Sequence, residues 1–414
     1  MKGILHYLRK TMYLPIIIIG LLIFAFIVDT PKIIFVGYKN ILISPSILTT
    51  DYLAVGGLGA TLFNVATTLA FNLLILRLLK LRLSGIIFAG IMMIFGYSFY
   101  GKNIMNSLPI YLGVYLYSVV NKVKFKNLII VLLFSTGLSP LVSYTMFGFD
   151  MAYYLSIPLG ISVGVIAGFI LPPLASHTMK FHQGYSVYNV GFALGIISIF
   201  FNGIYLAFDL KVNRESLVTT KYNNYLFGII IAIILLYTIL AFVFDKKVLT
   251  HFKELFKRSG RLISDFERDF GVEVVVLNTA MILTLEFIML LIFRVEINGA
   301  IFGTMFAVAG FAGAGLHLKN SLFVMIGAVL MVFLTGKDIK QTSVACSVLF
   351  SIGLAPVCGR YGIFAGLIAG ALHIIVVPIA INFQGGFDLY NNGFASCFVA
   401  CIMIAVIEAL KEQE

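Results

Sequence analysis

Charge is what this chain has least of. Of its 414 residues only 11% are Asp, Glu, Lys or Arg, while 60% are hydrophobic. A water-soluble domain carries roughly a quarter charged residues, so a soluble globular protein is excluded: too little polar material exists to cover a water-facing surface. The apolar runs lack the ten-residue alternation of barrel strands, which excludes an outer-membrane-type barrel. Enzyme signatures are missing too. No His-Glu-x-x-His helix, no Gly-x-Ser-x-Gly elbow and no Rossmann fingerprint occurs. Without a P-loop, the chain is no self-contained ATP-driven pump. Cys346, Cys358, Cys397 and Cys401 lie in or beside apolar runs, with no histidine at ligand spacing. They read as buried, inert thiols, and neither a metal nor another cofactor is expected.

What is present is a series of apolar runs, each about 20 residues, the length a helix needs to cross the hydrocarbon core. An all-α, polytopic integral membrane protein is expected. Its segments, about fourteen, fall near 13–28, 53–76, 84–100, 107–120, 128–144, 152–171, 188–207, 223–244, 273–293, 299–316, 321–336, 342–357, 362–381 and 393–410. Glycine-rich runs that re-enter the membrane would lower that number. The first run follows Lys2, Arg9 and Lys10 and lacks a small-x-small cleavage site, so it reads as an uncleaved span.

The net charge of +11 sits in short loops, where it sets orientation and does not signal nucleic acid. With the N-terminus inside, most of the 29 Lys and Arg fall on cytoplasmic segments. A multi-pass protein of the cell membrane with both termini cytoplasmic is expected. Between Asp245 and Gly271, apolar residues at helical spacing alternate with a cluster of Lys and Arg. An amphipathic helix on the anionic inner leaflet is expected there.

The chain is internally duplicated. Gly184-Tyr185-Ser186-Val187-Tyr188-Asn189-Val190-Gly191-Phe192-Ala193 recurs as Gly386-Phe387-Asp388-Leu389-Tyr390-Asn391-Asn392-Gly393-Phe394-Ala395. At one constant spacing Asn64 matches Asn278, Gly96 matches Gly310, and Asn106-Ser107-Leu108 matches Asn320-Ser321-Leu322. At a slightly longer spacing Phe134-Ser135-x-Gly137-Leu138-x-Pro140 answers Phe350-Ser351-x-Gly353-Leu354-x-Pro356. The expected division is 1–50, an N-terminal span and external connector; 51–210, repeat A; 211–272, an extra span and basic linker; and 273–414, repeat B. Six spans per repeat with one span between them make the second repeat enter from the opposite face. That gives inverted-topology repeats, as in many secondary transporters.

The repeated motif supplies the candidate site. Ser186 and Asp388 are interchangeable as helix N-caps, although a lone carboxylate in such apolar surroundings is also a site candidate. Asn189 and Asn391 each bring donors and an acceptor. Tyr188 and Tyr390 bring a ring with a polar tip. These six residues are the expected solute-binding set. Glu286, in mid-span where the counterpart is Asn72, is the candidate for ion or proton coupling. His373 is a second coupling candidate, with a hydrogen-bonded core histidine as the plainer account.

Through Leu171-Pro172-Pro173-Leu174-Ala175-Ser176-His177, Phe181-His182-Gln183-Gly184 with the motif that follows, and Leu389-Tyr390-Asn391-Asn392-Gly393-Phe394-Ala395, the chain resembles a family of uncharacterised bacterial multi-pass membrane proteins. That resemblance covers essentially the whole length and implies membrane location. Gly184-x-x-x-Tyr188-Asn189 and Gly386-x-x-x-Tyr390-Asn391 are more weakly similar to a segment that urea channels carry once in each inverted half, at a half-spanning pore helix.

The expected function is a permease or channel for a small polar solute, either a neutral hydrogen-bonding molecule or a small anion, with its path between the repeats. The expected partners are that small-molecule or ion substrate and the lipid bilayer, with no nucleic acid; homo-oligomerisation is left open. The alternatives are a membrane-embedded enzyme using Asp388, Glu286 or His373, and a non-catalytic membrane scaffold. Polar positions duplicated in both halves favour transport.

Overall fold

A backbone without water to bond to must pair with itself, which favours helices. The computed structural model describes residues 7–214 and 216–411, and these are helical without a strand. Lys2 and the two chain ends, read above as cytoplasmic, lie outside the described residues. The first half holds α1 (Leu14–Val28), α2 (Pro31–Leu42), α3 (Tyr52–Gly56), α4 (Leu58–Leu78), α5 (Gly85–Tyr97), α6 (Ile104–Val120), α7 (Ile129–Ser135), α8 (Ser139–Phe147), α9 (Tyr153–His182) and α10 (Asn189–Ala207). The second half holds α11 (Asn223–Phe244), α12 (Val248–Leu255), α13 (Phe266–Phe270), α14 (Val272–Ile292), α15 (Gly299–Ala309), α16 (Leu318–Leu334), α17 (Thr342–Ser351), α18 (Ala355–Tyr361), α19 (Ile363–Gln384) and α20 (Asn391–Lys411). Each helix of the first half has a counterpart in the same place in the second.

Among the described residues, 9 helices are long and apolar enough to cross a membrane, or up to 10 if α1 and α2, bent by 114° at Asp29, form one span. The expectation of about fourteen spans is reduced accordingly. All fourteen apolar runs are helical, but α5, α6, α15 and α16 are short. At 1.5 Å per residue, α5 covers about 20 Å, less than the ~30 Å hydrocarbon core. The chain is a multi-pass helical membrane protein in which some apolar helices serve the interior and do not span by themselves. In the linker the expected single helix is broken into α12 and α13. Gly260, whose φ is +80°, seats against the Gly315 carbonyl in the interruption. Val248, Phe252, Leu255 and Phe266 are nonetheless buried. The span expected to stand outside the repeats, α11, packs on α14 as α1 packs on α4.

The duplication reaches individual hydrogen bonds. Asn64 Nδ2 donates to the Ser98 and Lys102 carbonyls at 2.8 and 3.0 Å, and Asn278 Nδ2 donates to Ala312 and Leu316 at 2.8 and 2.7 Å. Each amide ties the long helix of its half to the turn between the two short ones. Asn103 with Asn106, and His317 with Asn320, form matching capping boxes at the starts of α6 and α16.

Other bonds run between halves and are reciprocal. Asp265 Oδ1 accepts from the Gly85 N–H at 2.9 Å, and Asp51 Oδ2 accepts from the Gly299 N–H at 3.1 Å. Each half thus caps the short helix of the other. Burial pushes the Asp51 carboxyl up to about 6, against the N–H groups of Leu53, Gly299 and Thr219, which favour its charged form. Between these caps α5 and α15 lie antiparallel. Gly85 meets the Gly313 carbonyl at one end, and Gly96 and Gly303 meet at the other. No side chain fits there, because a Cβ at Gly96 would collide with the Gly303 carbonyl.

Gly96→Ala should therefore lower the melting temperature of the purified protein, by about 1–3 kcal/mol of stability. Gly228→Ala, with nothing within 4 Å of its new Cβ, should leave it unchanged or raise it through helix propensity. Equal effects of the two substitutions would mean that α5 and α15 are not in contact.

Candidate functional site

Both copies of the Tyr-Asn motif break the helix in the same way. After α9 the chain turns at Gly184 (φ +82°), and after α19 it turns at Gly386 (φ +83°), a conformation that favours glycine. The turns carry N–H groups that no helix satisfies, and in an apolar interior these need partners. They find them in the opposite half. The Val187 N–H donates to the Gly353 carbonyl at 3.0 Å, and the Leu389 N–H donates to the Gly137 carbonyl at 2.9 Å. Both acceptors lie in three-residue 3₁₀ turns, Thr136–Leu138 between α7 and α8 and Ile352–Leu354 between α17 and α18. Pro140 and Pro356, just beyond, cannot donate back into those turns. The repeated Phe-Ser-x-Gly-Leu-x-Pro motif is thus the socket for the other half's Tyr-Asn turn. Gly353 is needed because the Tyr188 ring lies against it.

The two turns meet. Tyr188 and Tyr390 have ring centroids 5.1 Å apart, Phe192 and Phe394 stack at 5.0 Å, and Gly191 touches Gly393 backbone to backbone. Around the tyrosine pair lie Tyr97, Phe134, Phe311 and Phe350, at 4.9 to 6.3 Å from one or other ring. The six rings are three counterpart pairs, Tyr97 with Phe311, Phe134 with Phe350 and Tyr188 with Tyr390, and all are buried. Among the described residues the hydroxyls of Tyr97, Tyr188 and Tyr390 have no hydrogen-bond partner.

The other expected site residues separate into tied and untied groups. Ser186 Oγ accepts from the Tyr188 N–H at 3.3 Å, and Asn189 Oδ1 is held by Thr178 Oγ1 and His182 Nε2, both at 2.9 Å. Asp388 Oδ1 accepts from the Tyr390 N–H at 2.8 Å while Oδ2 has no partner. Asn391 Oδ1 accepts from Asn392 at 3.2 Å while Nδ2 has none. Glu286, fully buried in mid-α14, has neither oxygen paired. His373 is a hydrogen-bonded core histidine, 3.0 Å from Asn392 Oδ1 and 3.2 Å from Ser396 Oγ.

Tyr97, Gln384 and Lys102 escaped sequence reasoning. Gln384 is buried with both amide atoms unpaired. Lys102 is buried with Nζ 3.0 Å from Ser107 Oγ and over the Tyr111 ring at 5.7 Å. Their counterparts Phe311, His182 and Leu316 differ in kind, so a search for matching residues passes over them. A search for buried polar positions at which the two halves disagree would have found all three.

A cavity approaches the rings from each end of the α5–α15 pair. One, of about 180 Å³, is lined at the Asp265 end by Ile130, Phe134, Val187, Asn189, Leu262 and Ile263. At the Asp51 end a void of about 20 Å³ is lined by the counterparts Cys346, Phe350, Leu389, Asn391, Leu48 and Thr49. It shares Leu48, Thr49, Ser343 and Ile381 with an outer cavity of about 400 Å³ that reaches Arg214 and Ser216. The first cavity is mostly apolar, whereas the second adds Thr304, Ser347 and Asn392. Each is bordered by one ring of the aromatic cluster, Phe134 in the first and Phe350 in the second.

Fold and site together define a multi-pass helical membrane protein whose two equivalent halves bury a shared polar and aromatic centre. The chain belongs to the family described as protein of unknown function (DUF1576), whose model matches residues 30–207 and 244–409. Those two blocks run from α2 to α10 and from α12 to α20. No curated protein and no solved structure matches the chain.

Asn189→Ala would strip two side chains of their acceptor and should cost about 1–3 kcal/mol of stability. Asn391→Ala removes a single long bond and should cost less than about 1 kcal/mol. Thermal unfolding of the two variants checks the ranking, and the reverse order would contradict the geometry.

Proposed function

We propose that this protein is a permease that moves a small polar solute across the cell membrane by opening the two cavities in turn. The supporting observation is that the cavities are lined by counterpart residues and stop on opposite sides of one aromatic barrier. In this reading the halves are inverted-topology repeats of seven apolar runs each, related by a pseudo-twofold axis passing between Gly191 and Gly393. The Asp265 end faces the cytoplasm, in keeping with the basic loops around Arg82 and Arg258, and the Asp51 end faces outside. Two equivalent halves offer two equivalent packings, so opening one cavity while closing the other needs no new contacts, only an exchange of roles between counterparts. A barrier of six packed rings suits a carrier better than an open channel. Binding at the centre would be followed by movement of the turns in their sockets, each of which holds its turn through one backbone bond, with a second from Leu262 to Gly184 or from Leu48 to Gly386 at the turn's glycine.

Thiol accessibility tests this directly. Cys346 lines the small void at the Asp51 end, inside the outer cavity, and its counterpart Ile130 lines the cavity at the Asp265 end. With the other cysteines replaced, an impermeant thiol reagent should reach Cys346 only from outside and Ile130→Cys only from inside. Solutes or conditions that raise one rate should lower the other. Rates that rise together would indicate a channel, and access to both from one side would end the permease reading.

A further inference from the structure

The scaffold is duplicated, but its buried polar chemistry is not. In the first half, Asn72 Oδ1 accepts from the Tyr111 hydroxyl at 2.6 Å and its Nδ2 donates to the Thr68 carbonyl at 2.9 Å. In the second half Glu286 takes the place of Asn72, and Met325 that of Tyr111, so a carboxyl stands where the amide was and has no donor. Ser186 becomes Asp388. Asn189, held by Thr178 and His182, becomes Asn391, and the positions of Thr178 and His182 are taken by Ala380 and the unpaired Gln384. At four positions the first half is satisfied and the second is not, among the described residues. An unpaired buried polar group costs about 1–3 kcal/mol, and more if charged. Four such groups in one half are therefore not explained by stability, whereas a ligand absent from the structure would pair them.

We infer that the unpaired acids and amides of the second half, together with the tyrosine cluster, form a ligand site, and that the ligand is a small, singly charged cation. The unpaired carboxyl oxygens of the centre carry this, two on Glu286 and one on Asp388, because a cation would pair them. Glu286 and Asp388 form no ion pair among the described residues, and the one buried lysine described above, Lys102, is bonded to Ser107 instead. Both acids lie near the tyrosine cluster, Glu286 near Tyr188 and Asp388 near Tyr97 and Tyr390. The positive end of α20 would by itself favour an anion, but Asp388 already occupies it through the Tyr390 N–H. Glu286 has no such helix end. Aromatic faces around the two acids add their own attraction for a cation, and the three free phenol oxygens can accept from an ammonium group or coordinate an alkali ion. The outer void reaches Asn391, so the cation would arrive from the Asp51 end. This inference rests on the permease reading only for the cation's onward release.

The chain has 20 tyrosines and no tryptophan, so its intrinsic emission is tyrosine emission, to which Tyr97, Tyr188 and Tyr390 contribute and whose cluster share is the part lost in Tyr390→Phe. Purified full-length protein would be titrated with sodium, potassium, ammonium, methylammonium or tetramethylammonium chloride replacing N-methylglucamine chloride at fixed ionic strength. One of these should change tyrosine emission saturably and raise the melting temperature. Sodium or potassium would identify an alkali ion, and ammonium or a methylated ammonium an amine. Asp388→Ser and Glu286→Asn, which restore the first-half residues, should each weaken that binding roughly tenfold or more. Glu286→Gln serves if Glu286→Asn fails to fold. Glu296→Gln, at an exposed carboxyl, should leave binding unchanged. The inference is overturned if no cation saturates, if a neutral amide or an anion does so instead, or if both acidic variants bind as the native chain does. Loss of cation binding with alternating thiol access intact would remove the cation and keep the permease; the converse would do the reverse.

Discussion

Two backbone hydrogen bonds anchor this architecture, from Val187 to Gly353 and from Leu389 to Gly137. Backbone that leaves helical form inside an apolar interior must be satisfied by protein. Here each half supplies what the other lacks: one half's turn presents the donor, and the other half's 3₁₀ interruption presents the acceptor. Neither half can therefore close its own centre. The pairing of halves, the meeting of the tyrosines and the aromatic barrier all depend on that exchange.

The same exchange occurs at the ends of the short helices, where Asp51 and Asp265 cap α15 and α5. Capping across the halves, with glycine-to-glycine contact between α5 and α15, fixes these helices at a spacing that ordinary side chains would not permit. Stability is thus concentrated along the line where the halves meet. The polar groups in the second half's centre are left over from that framework and are free for another purpose.

Much of the fold was legible in the sequence because it was written twice. The matches of Asn64 with Asn278 and of Gly137 with Gly353 mark the positions whose hydrogen bonds recur. The helical apolar runs were legible from composition, but which of them span was not. Apolar length reports burial without saying whether lipid or protein covers the helix, so α5 and α15, walled in by protein, read like lipid-facing spans. The kinship of α1 with α11 was hidden because lipid-exposed helices keep apolar character without keeping particular residues. Within the candidate set, the meeting of Tyr188 and Tyr390 followed from the repeat. The fate of Asn189 did not, since Thr178 and His182, which hold it, lie a helix end away, where the second half has Ala380 and Gln384.

The account stands or falls on the two halves facing opposite ways. Lys80 and Arg294 are counterparts at the ends of α4 and α14, both exposed and both with positive φ, +54° and +52°. In intact cells an impermeant thiol reagent should modify Arg294→Cys and leave Lys80→Cys untouched until the membrane is opened. Labelling of both from outside, or of neither, would place counterpart residues on the same face and contradict the inversion.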